Sequence, residues 1–416
     1  MMKEYISAKD IRYQLANLKQ LTFEVTDACN LSCKYCAYGE FYNDYDLREN
    51  KNISLPAAIK MINYLVELWN SEYNMSATRT VFISFYGGEP LLNMPFIKSI
   101  VQYVENIEVK SRNFVFSMTT NAILLQKNID YLVKHNFNLL ISLDGNELNN
   151  SYRVYKTGKP AYTDIKNNID TLLQKYPEYF KTKVNFNSVL HNRNSVEQIY
   201  KYFKADYNKI PSIGELNNMG IRENKIELFR QTYRNTYQSL YQAENYEVIE
   251  RDMFLKSATY QSITAFIHQY SGFVYRNYTD LIFGNDQKKS IPTGTCVPFS
   301  RRLFMTVNGK ILPCERIGQQ FELGMISESE ICIDLDAIAN KYNSYYAKFD
   351  QQCHKCYKTK ACIQCIFNIP KLEEDHPICP GFVNETEFLV YKSKQMNFLR
   401  NHPEEYYRIM ENVIVE

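Results

Sequence analysis

No apolar run in this chain is long enough to cross a bilayer, and Met1-Met2-Lys3-Glu4-Tyr5 has no apolar core of a signal peptide. Neither a membrane span nor export is expected, and the protein is read as cytoplasmic. An excess of one charge is lacking too. Lys and Arg number 48 against 46 Asp and Glu, a net of +2, which supplies neither a nucleic-acid surface nor an acidic tail. Tryptophan is nearly absent, one residue against 34 tyrosines. The tyrosines are scattered along amphipathic segments and read as composition bias. With 45% hydrophobic and 23% charged residues the chain is globular, and 416 residues exceed one ordinary core, so two or three domains are expected. The cysteine count is not even: eleven fall at 29/33/36, 296/314, 332 and 353/356/362/365/379. In a reducing compartment such groups read as metal ligands rather than disulfides.

The densest motif is Thr26-Asp27-Ala28-Cys29-Asn30-Leu31-Ser32-Cys33-Lys34-Tyr35-Cys36-Ala37-Tyr38, with the spacing C-x3-C-x2-C. A cubane [4Fe–4S] cluster has iron corners usually held by cysteine thiolates. Three thiolates from one loop hold three corners and leave the fourth iron open to a small molecule, like the open position of a catalytic metal site. Zinc is the plainer alternative, but a structural zinc takes four ligands, and no fourth Cys or His lies near this loop. Three unrelated buried thiols are a poor account of this spacing on a polar, Asn-containing loop.

Residues 21–26 read as a β-branched and aromatic strand feeding directly into that loop. Ser54 and Pro56 mark a helix start, followed by Ala58, Ile62, Leu65, Val66 and Trp69 at helical spacing. Strand-like runs at 81–86, 114–118, 138–143, 183–190 and 212–216 then alternate with helical stretches near 95–107, 123–135, 163–175 and 195–204. Such alternation predicts right-handed βαβ units and a parallel sheet buried on both faces. In barrels of this kind the chemistry sits at the C-terminal strand ends. Gly87-Gly88-Glu89-Pro90 follows the second strand, Thr120-Asn121 the third, and Ser142-Leu143-Asp144-Gly145 ends the fourth.

The cysteine spacing, the aromatic Tyr35 before the third cysteine and the Gly-Gly-Glu-Pro run together resemble the radical S-adenosylmethionine (SAM) enzymes. That resemblance implies an α/β fold, a partial (β/α)6 parallel barrel. Cys29, Cys33 and Cys36 would hold a [4Fe–4S] cluster whose open iron binds the amino and carboxylate groups of SAM. Tyr35 would lie beside the adenine, and Gly87, Gly88, Glu89 and Pro90 at the SAM amino group. Asn121, Ser142 and Asp144 would line the SAM site, and Arg153 would pair with its carboxylate. Read singly, Asn121 is a turn residue, Asp144-Gly145 a β-turn and Arg153 a solvated helix charge.

Past residue 222, Phe229, Tyr233, Tyr237, Leu240 and Tyr241 form an apolar stripe at helical spacing, read as a packing face. Asn308-Gly309, between 304–307 and 310–312, is a hairpin signal and would bring Cys296 and Cys314 towards each other. Cys296, Cys314, Cys353, Cys356, Cys362, Cys365 and Cys379 resemble the SPASM extension, a small cysteine-rich α+β domain with two auxiliary [4Fe–4S] clusters. By that resemblance Cys353, Cys356, Cys362 and Cys379 would hold the outer cluster, and Cys296, Cys314 and Cys365 the inner one. Here two residues separate Cys362 from Cys365 where the family usually has three, and the inner set lacks a fourth cysteine. Cys332, between Ile331 and Ile333, is a candidate but reads better as a buried structural thiol. Paired zinc sites are the alternative for the region. Glu315, next to Cys314, stands where sulfatase-maturing relatives place a general base; it reads equally as a surface carboxylate.

The expected order is therefore a radical SAM core over 1–220, a helical bridge over 221–290, a SPASM domain over 291–382 and a C-terminal helix over 383–416. The resemblance implies an enzyme that cleaves SAM and uses the 5′-deoxyadenosyl radical on a precursor peptide or protein, giving a thioether or carbon–carbon crosslink. The phrase Cys36-Ala37-Tyr38-Gly39-Glu40-Phe41-Tyr42 is closer to peptide maturases than to sulfatase maturases. Oxidation of Ser or Cys to formylglycine is one alternative, a non-catalytic iron–sulfur carrier another. A ferredoxin or flavodoxin reductant is implied. Only 28 residues precede Cys29, so a separate peptide-recognition protein is one route to the leader that many such maturases read themselves.

Overall fold

The structure, a computed structural model, describes residues 4–75, 80–109, 112–253, 256–270 and 291–412. Contacts divide the chain into two compact units, one of residues 8–249 and 297–335, the other of 1–7, 250–296 and 336–416. The end of the expected helical bridge, 271–290, lies outside the described residues.

Among the described residues, the larger unit is built on one ten-stranded sheet. Six parallel strands run β1 (Gln20–Thr26), β2 (Thr80–Gly87), β3 (Asn113–Thr120), β4 (Asn138–Ser142), β5 (Val184–Val189) and β6 (Ser212–Gly214) in sequence order. Helices Leu55–Trp69, Met94–Asn106, Leu125–Lys134, Tyr162–Lys175 and Val196–Tyr207 connect them. Ser54 caps the first of these, accepting from the Ala57 N–H at 3.3 Å, and Ser195 caps the last, accepting from the Gln198 N–H at 3.2 Å. On the other side of β1 the sheet continues as β7 (Leu303–Met305), parallel to β1, then β8 (Lys310–Leu312), β9 (Gly324–Ile326) and β10 (Ile331–Cys332), all antiparallel. The β7–β8 turn is Asn308-Gly309, with Gly309 at φ +79°, a left-handed conformation suited to glycine.

β1 is buried on both faces, Thr22 and Glu24 included, but β3, β4 and β5 are not, against the expectation for parallel strands. Register partners share a face, and one face carries Phe23, Phe85, Met118, Leu139 and Phe186, all buried. Helices cover it: the Phe96 ring meets Phe23 edge-on at 5.8 Å, and Phe203 lies 4.6 Å from Phe186. The opposite face is polar. Gln20 Nε2 donates to Ser84 Oγ at 2.8 Å and Ser84 shares a 2.6 Å bond with Ser117, while Ser142 pairs in register with Asn187. A parallel sheet needs helices on both faces only when both are apolar; here alternation reserves one face for polar side chains.

The tyrosine stripe does pack, though as short helices rather than one. Phe229 joins Tyr35, Phe41, Tyr42, Tyr152 and Leu216 in a buried cluster, while Tyr241 stays exposed.

In the smaller unit, helix Leu335–Lys355 buries Tyr342, Tyr346 and Phe349. Asn343 on that helix accepts from the backbone N–H groups of Tyr5 and Ile6 at 3.0 and 3.1 Å and donates to Ile6 O at 2.8 Å, fixing the start of the chain. Helices Glu385–Asn401 and Pro403–Asn412 place Phe398, Leu399 and Ile409 against Tyr260, Ile263 and Ile267.

Phe23 is fully buried between Phe85 and Phe96. Phe23→Ala should lower unfolding free energy by about 3–5 kcal/mol, read as a fall in the urea midpoint of the larger unit's transition.

Candidate functional site

The cysteine loop leaves the end of β1 and passes against the end of β2. Gly88 N–H donates to Thr26 O at 2.8 Å and Glu89 N–H to Ala28 O at 2.9 Å. A Cβ on Gly88 would stand 2.0 Å from Ala28 O, and one on Gly87, at φ +127°, 2.4 Å from Thr26 O. The glycines thus serve an approach of backbone to backbone. Pro90 begins a short 3-10 turn, and Glu89 caps it.

Glu89 is fully buried and accepts from Thr120 Oγ1 at 2.7 Å, Asn121 N at 2.8 Å and Leu91 N at 3.2 Å. Burial pushes its carboxyl up to about 7, against the pull of those three donors. Asn121 turns back to the loop, donating to Asn30 Oδ1 at 2.7 Å and facing the Cys29 sulfur at 3.7 Å. The ends of β2 and β3 and the cysteine loop are therefore one hydrogen-bonded assembly.

A second assembly centres on Asp144, at the end of β4. Its carboxylate takes Arg153 Nη2 at 3.0 Å and Nε at 3.1 Å, the Val189 N–H at 2.9 Å and the Tyr35 hydroxyl. Burial alone would push this carboxyl up, but the Arg153 charge and the His191 ring outweigh it and hold it at about 2. Arg153 is buried and ion-paired rather than solvated. Ser142 lies half-buried on the polar face of β4.

Residues that sequence reasoning passed over complete the site. His191, fully buried just past β5, stacks on Tyr35 at 5.6 Å and approaches Asp144 at 3.9 Å. Its place directly after a strand was the available signal. Glu24 is buried on the polar face and accepts from Tyr38 Oη at 2.7 Å and Val307 N at 3.0 Å. A charged residue inside an apolar strand could have flagged it. Arg48, in a polar stretch, gave no signal.

Residues 23–204 match the model of the Radical SAM superfamily. The chain carries a radical SAM domain. It is 33% identical over 192 residues to an uncharacterized protein of Methanocaldococcus jannaschii, 45% of this chain and 59% of that protein. It is 25% identical over 327 residues to a cysteine-type anaerobic sulfatase-maturating enzyme of Clostridium novyi, 76% of this chain and 78% of that one. The solved structure of native anSMEcpe with bound AdoMet aligns with a TM-score of 0.60 at 17% identity, over 95% of this chain and 100% of that chain, and shows the shared fold.

The radical SAM domain implies a [4Fe–4S] cluster and SAM, and the donor set fits. Cys29, Cys33 and Cys36 are free thiols within one another's fields. Burial pushes Cys33 up to about 12, so an isolated thiol there stays protonated and iron is needed to hold the thiolate. In the smaller unit Cys353, Cys356, Cys362 and Cys379 line one cavity with Thr293, Thr359 and Gly381. Thr293 N–H faces the Cys353 sulfur and Val383 N–H the Cys356 sulfur, both at 3.4 Å. Cys365 and Cys296 lie near Tyr346, whose buried hydroxyl has no partner among the described residues. Among the described residues no three metal-binding side chains converge as a single ion requires; a cubane spreads its thiolates more widely. Cys314 belongs to the larger unit.

Cys332 corrects an expectation. It is exposed, not a buried structural thiol, because it sits on the two-residue edge strand β10 opposite the exposed Met325. Glu315 is half-buried, paired with Arg302 at 2.5 Å and beside the Cys314 sulfur at 3.8 Å. Tyr45 and Tyr86 both feel the charges of Glu315 and Cys36, which places the two ends of this unit's chain in one neighbourhood.

Asp144→Asn should cost about 3–5 kcal/mol, because it leaves the buried Arg153 uncompensated. The depressed carboxyl contributes stability above its unfolded value of about 4, and that contribution is lost as pH falls towards 2. Denaturant midpoints across this range should show a steeper acid loss for the wild type than for the variant.

Proposed function

We propose that this protein is a radical SAM enzyme that modifies a side chain of a peptide or protein substrate, joining a sulfur or carbon atom to an unactivated carbon. The supporting observation is one of placement. The cysteine loop, the Glu89–Asn121 assembly and the half-buried Glu315 belong to the same unit as a sheet face lined by Ser84, Ser117, Ser142 and Asn187. When bound, the cluster and SAM supply a carbon-centred radical able to remove a hydrogen atom from a C–H bond. Cys29, Cys33 and Cys36 would hold the cluster by three corners and leave one iron for SAM.

The chain's own residues then orient and exclude. Tyr35 is fixed by Asp144 and His191, so the aromatic wall of the loop is rigid before any ligand arrives. The polar sheet face offers hydroxyl and amide groups to a peptide backbone, and Glu315 offers a carboxylate to a substrate proton. Closing a thioether releases one proton and one electron. The four-cysteine cavity of the smaller unit would hold an auxiliary cluster suited to take that electron, and a ferredoxin or flavodoxin would supply the one used in SAM cleavage.

Oxidation of a Ser or Cys to formylglycine is the second reading. It is favoured by the Clostridium novyi relative, which aligns over three quarters of both chains, and by Glu315 lying beside Cys314.

Anaerobically reconstituted protein with SAM and a reductant should release 5′-deoxyadenosine, and Cys33→Ala should abolish it. With a candidate peptide, mass spectrometry separates the readings. Loss of two hydrogens with a thiol closed to alkylation marks a thioether, and a hydrazide-reactive aldehyde marks formylglycine. A fully loaded N-terminal cluster that yields no 5′-deoxyadenosine, with or without peptides or sulfatase segments, would count against both.

A further inference from the structure

Arg48 lies in the polar loop between Cys36 and the helix that starts at Leu55. Its guanidinium carbon stands 4.0 Å from the centroid of the Tyr38 ring, and Nη2 is 3.8 Å from the Cys36 sulfur. Its Nε–H is buried with no hydrogen-bond partner among the described residues. Leaving such a donor unmade costs about 1–3 kcal/mol, so the arrangement needs a cause.

The loop is held in place from both sides of Arg48. Lys51 O accepts from Thr26 Oγ1 at 2.7 Å and Asp27 N at 3.1 Å, and Glu49 N donates to Asp27 Oδ2 at 2.9 Å. Before Arg48, Asp46 accepts from Asn308 Nδ2 at 3.0 Å and Lys310 Nζ at 2.8 Å, while its own N–H donates to Gln319 Oε1 at 2.9 Å. Tyr38 is anchored as well, through its 2.7 Å bond to the buried Glu24. A long side chain that is stacked on a fixed ring and fed from a clamped loop is aimed.

We propose that Arg48 is a positioning residue for the N-terminal [4Fe–4S] cluster, directing N–H groups and positive charge at the Cys36 thiolate. This rests on the cluster assignment to Cys29, Cys33 and Cys36. Hydrogen bonds to ligand sulfurs are among the settings of an iron–sulfur potential, and outer partners orient the ligands. A cation beside the sulfur stabilises the added electron, so Arg48 raises the reduction potential and makes the cluster easier to reduce. Tyr38 serves as the platform, because a guanidinium stacks on an aromatic face while presenting its edge to an acceptor.

The test uses the full chain, reconstituted anaerobically, with iron counted and the midpoint read by EPR-monitored titration. The N-terminal cluster is identified as the signal that changes when SAM is added and is missing in Cys33→Ala. Arg48→Met keeps the stem and removes both charge and donors. It should load iron as the wild type does, with the reduction equilibrium about tenfold less favourable, a negative shift of about 59 mV for one electron. Arg48→Lys should shift less, and Tyr38→Phe, which keeps the ring, should shift least. A fully loaded Arg48→Met with the wild-type midpoint overturns the proposal. If that variant fails to load, Arg48→Gln, which retains a donor without the charge, is read in its place, and a wild-type midpoint there overturns it equally. Wild-type protein that takes up no cluster at the three cysteines fails the cluster assignment itself, a result the iron count against Cys33→Ala distinguishes.

Discussion

The end of β2 lies so close to the start of the cysteine loop that Gly88 N–H reaches Thr26 O at 2.8 Å and a single added carbon on Gly88 would fall 2.0 Å from Ala28 O. Everything at the candidate site is measured from that contact. It sets where Cys29 begins, because Ala28 is its neighbour. It sets where Glu89 points, because the Glu89 N–H is tied to Ala28 O at 2.9 Å. Glu89 in turn gathers Thr120 and Asn121 from β3, and Asn121 returns to Asn30. Three chain segments close a ring of hydrogen bonds around one buried carboxyl. A buried network of this kind is costly when half made and specific when complete, and this one is supplied by backbone groups as much as by side chains.

The Asp144 assembly does the same for the other edge of the loop. A buried ion pair is weak evidence of stability, since desolvation consumes much of what Coulomb attraction returns. What it does give is a fixed geometry. Asp144 N–H donates to Asn150 Oδ1 at 3.2 Å, Arg153 comes from the segment that follows, and Val189 from β5. Tyr35 reports that geometry to the cysteine loop, with Cys33 and Cys36 on either side of it in sequence. The loop is therefore positioned by β2 and β3 at one end and by β4 and β5 at the other.

Much of this was legible in the sequence because period and spacing are local. The alternation of strands and helices, the Asn-Gly turn, the Ser54 helix start and the strand-end motifs all depend on neighbours a few residues away. What was not legible is what depends on facing partners. The polar face of the sheet was masked because Phe82, Val115 and Leu140 interrupt its polar rows, so the strands read as uniformly apolar. Asn185 and Asn187, alternating with Val184 and Phe186 in β5, were the clearest sign that one face stays open. Cys332 was misjudged because Ile331 and Ile333 suggest a core, whereas a two-residue edge strand has only one neighbour to hide behind. Arg48 acts through Tyr38 and Cys36, ten or more residues away, and no local pattern marks that; His191 acts through Tyr35 and Asp144, with only its place after a strand to hint at it.

The strand β7 connects these observations. By pairing in parallel with β1 it brings the Asn308-Gly309 hairpin beside the cysteine loop, so a segment from late in the chain shares an environment with one from its start. The hairpin then contributes on two fronts. Its Val307 N–H donates to Glu24, and its Asn308 and Lys310 side chains hold Asp46 in the loop that carries Arg48. Its far end carries Cys314 and Glu315, the latter within the fields of Tyr45 and Tyr86 that Cys36 also shares. One register thus governs the surroundings of Cys36 and the placing of Glu315 together. A slip of one residue between β7 and β1 would invert every side chain of the added strand, and it would release Asp46 and Glu24 at the same time. The hairpin is therefore part of the scaffold of the radical SAM domain, although the sequence model of that superfamily ends at residue 204.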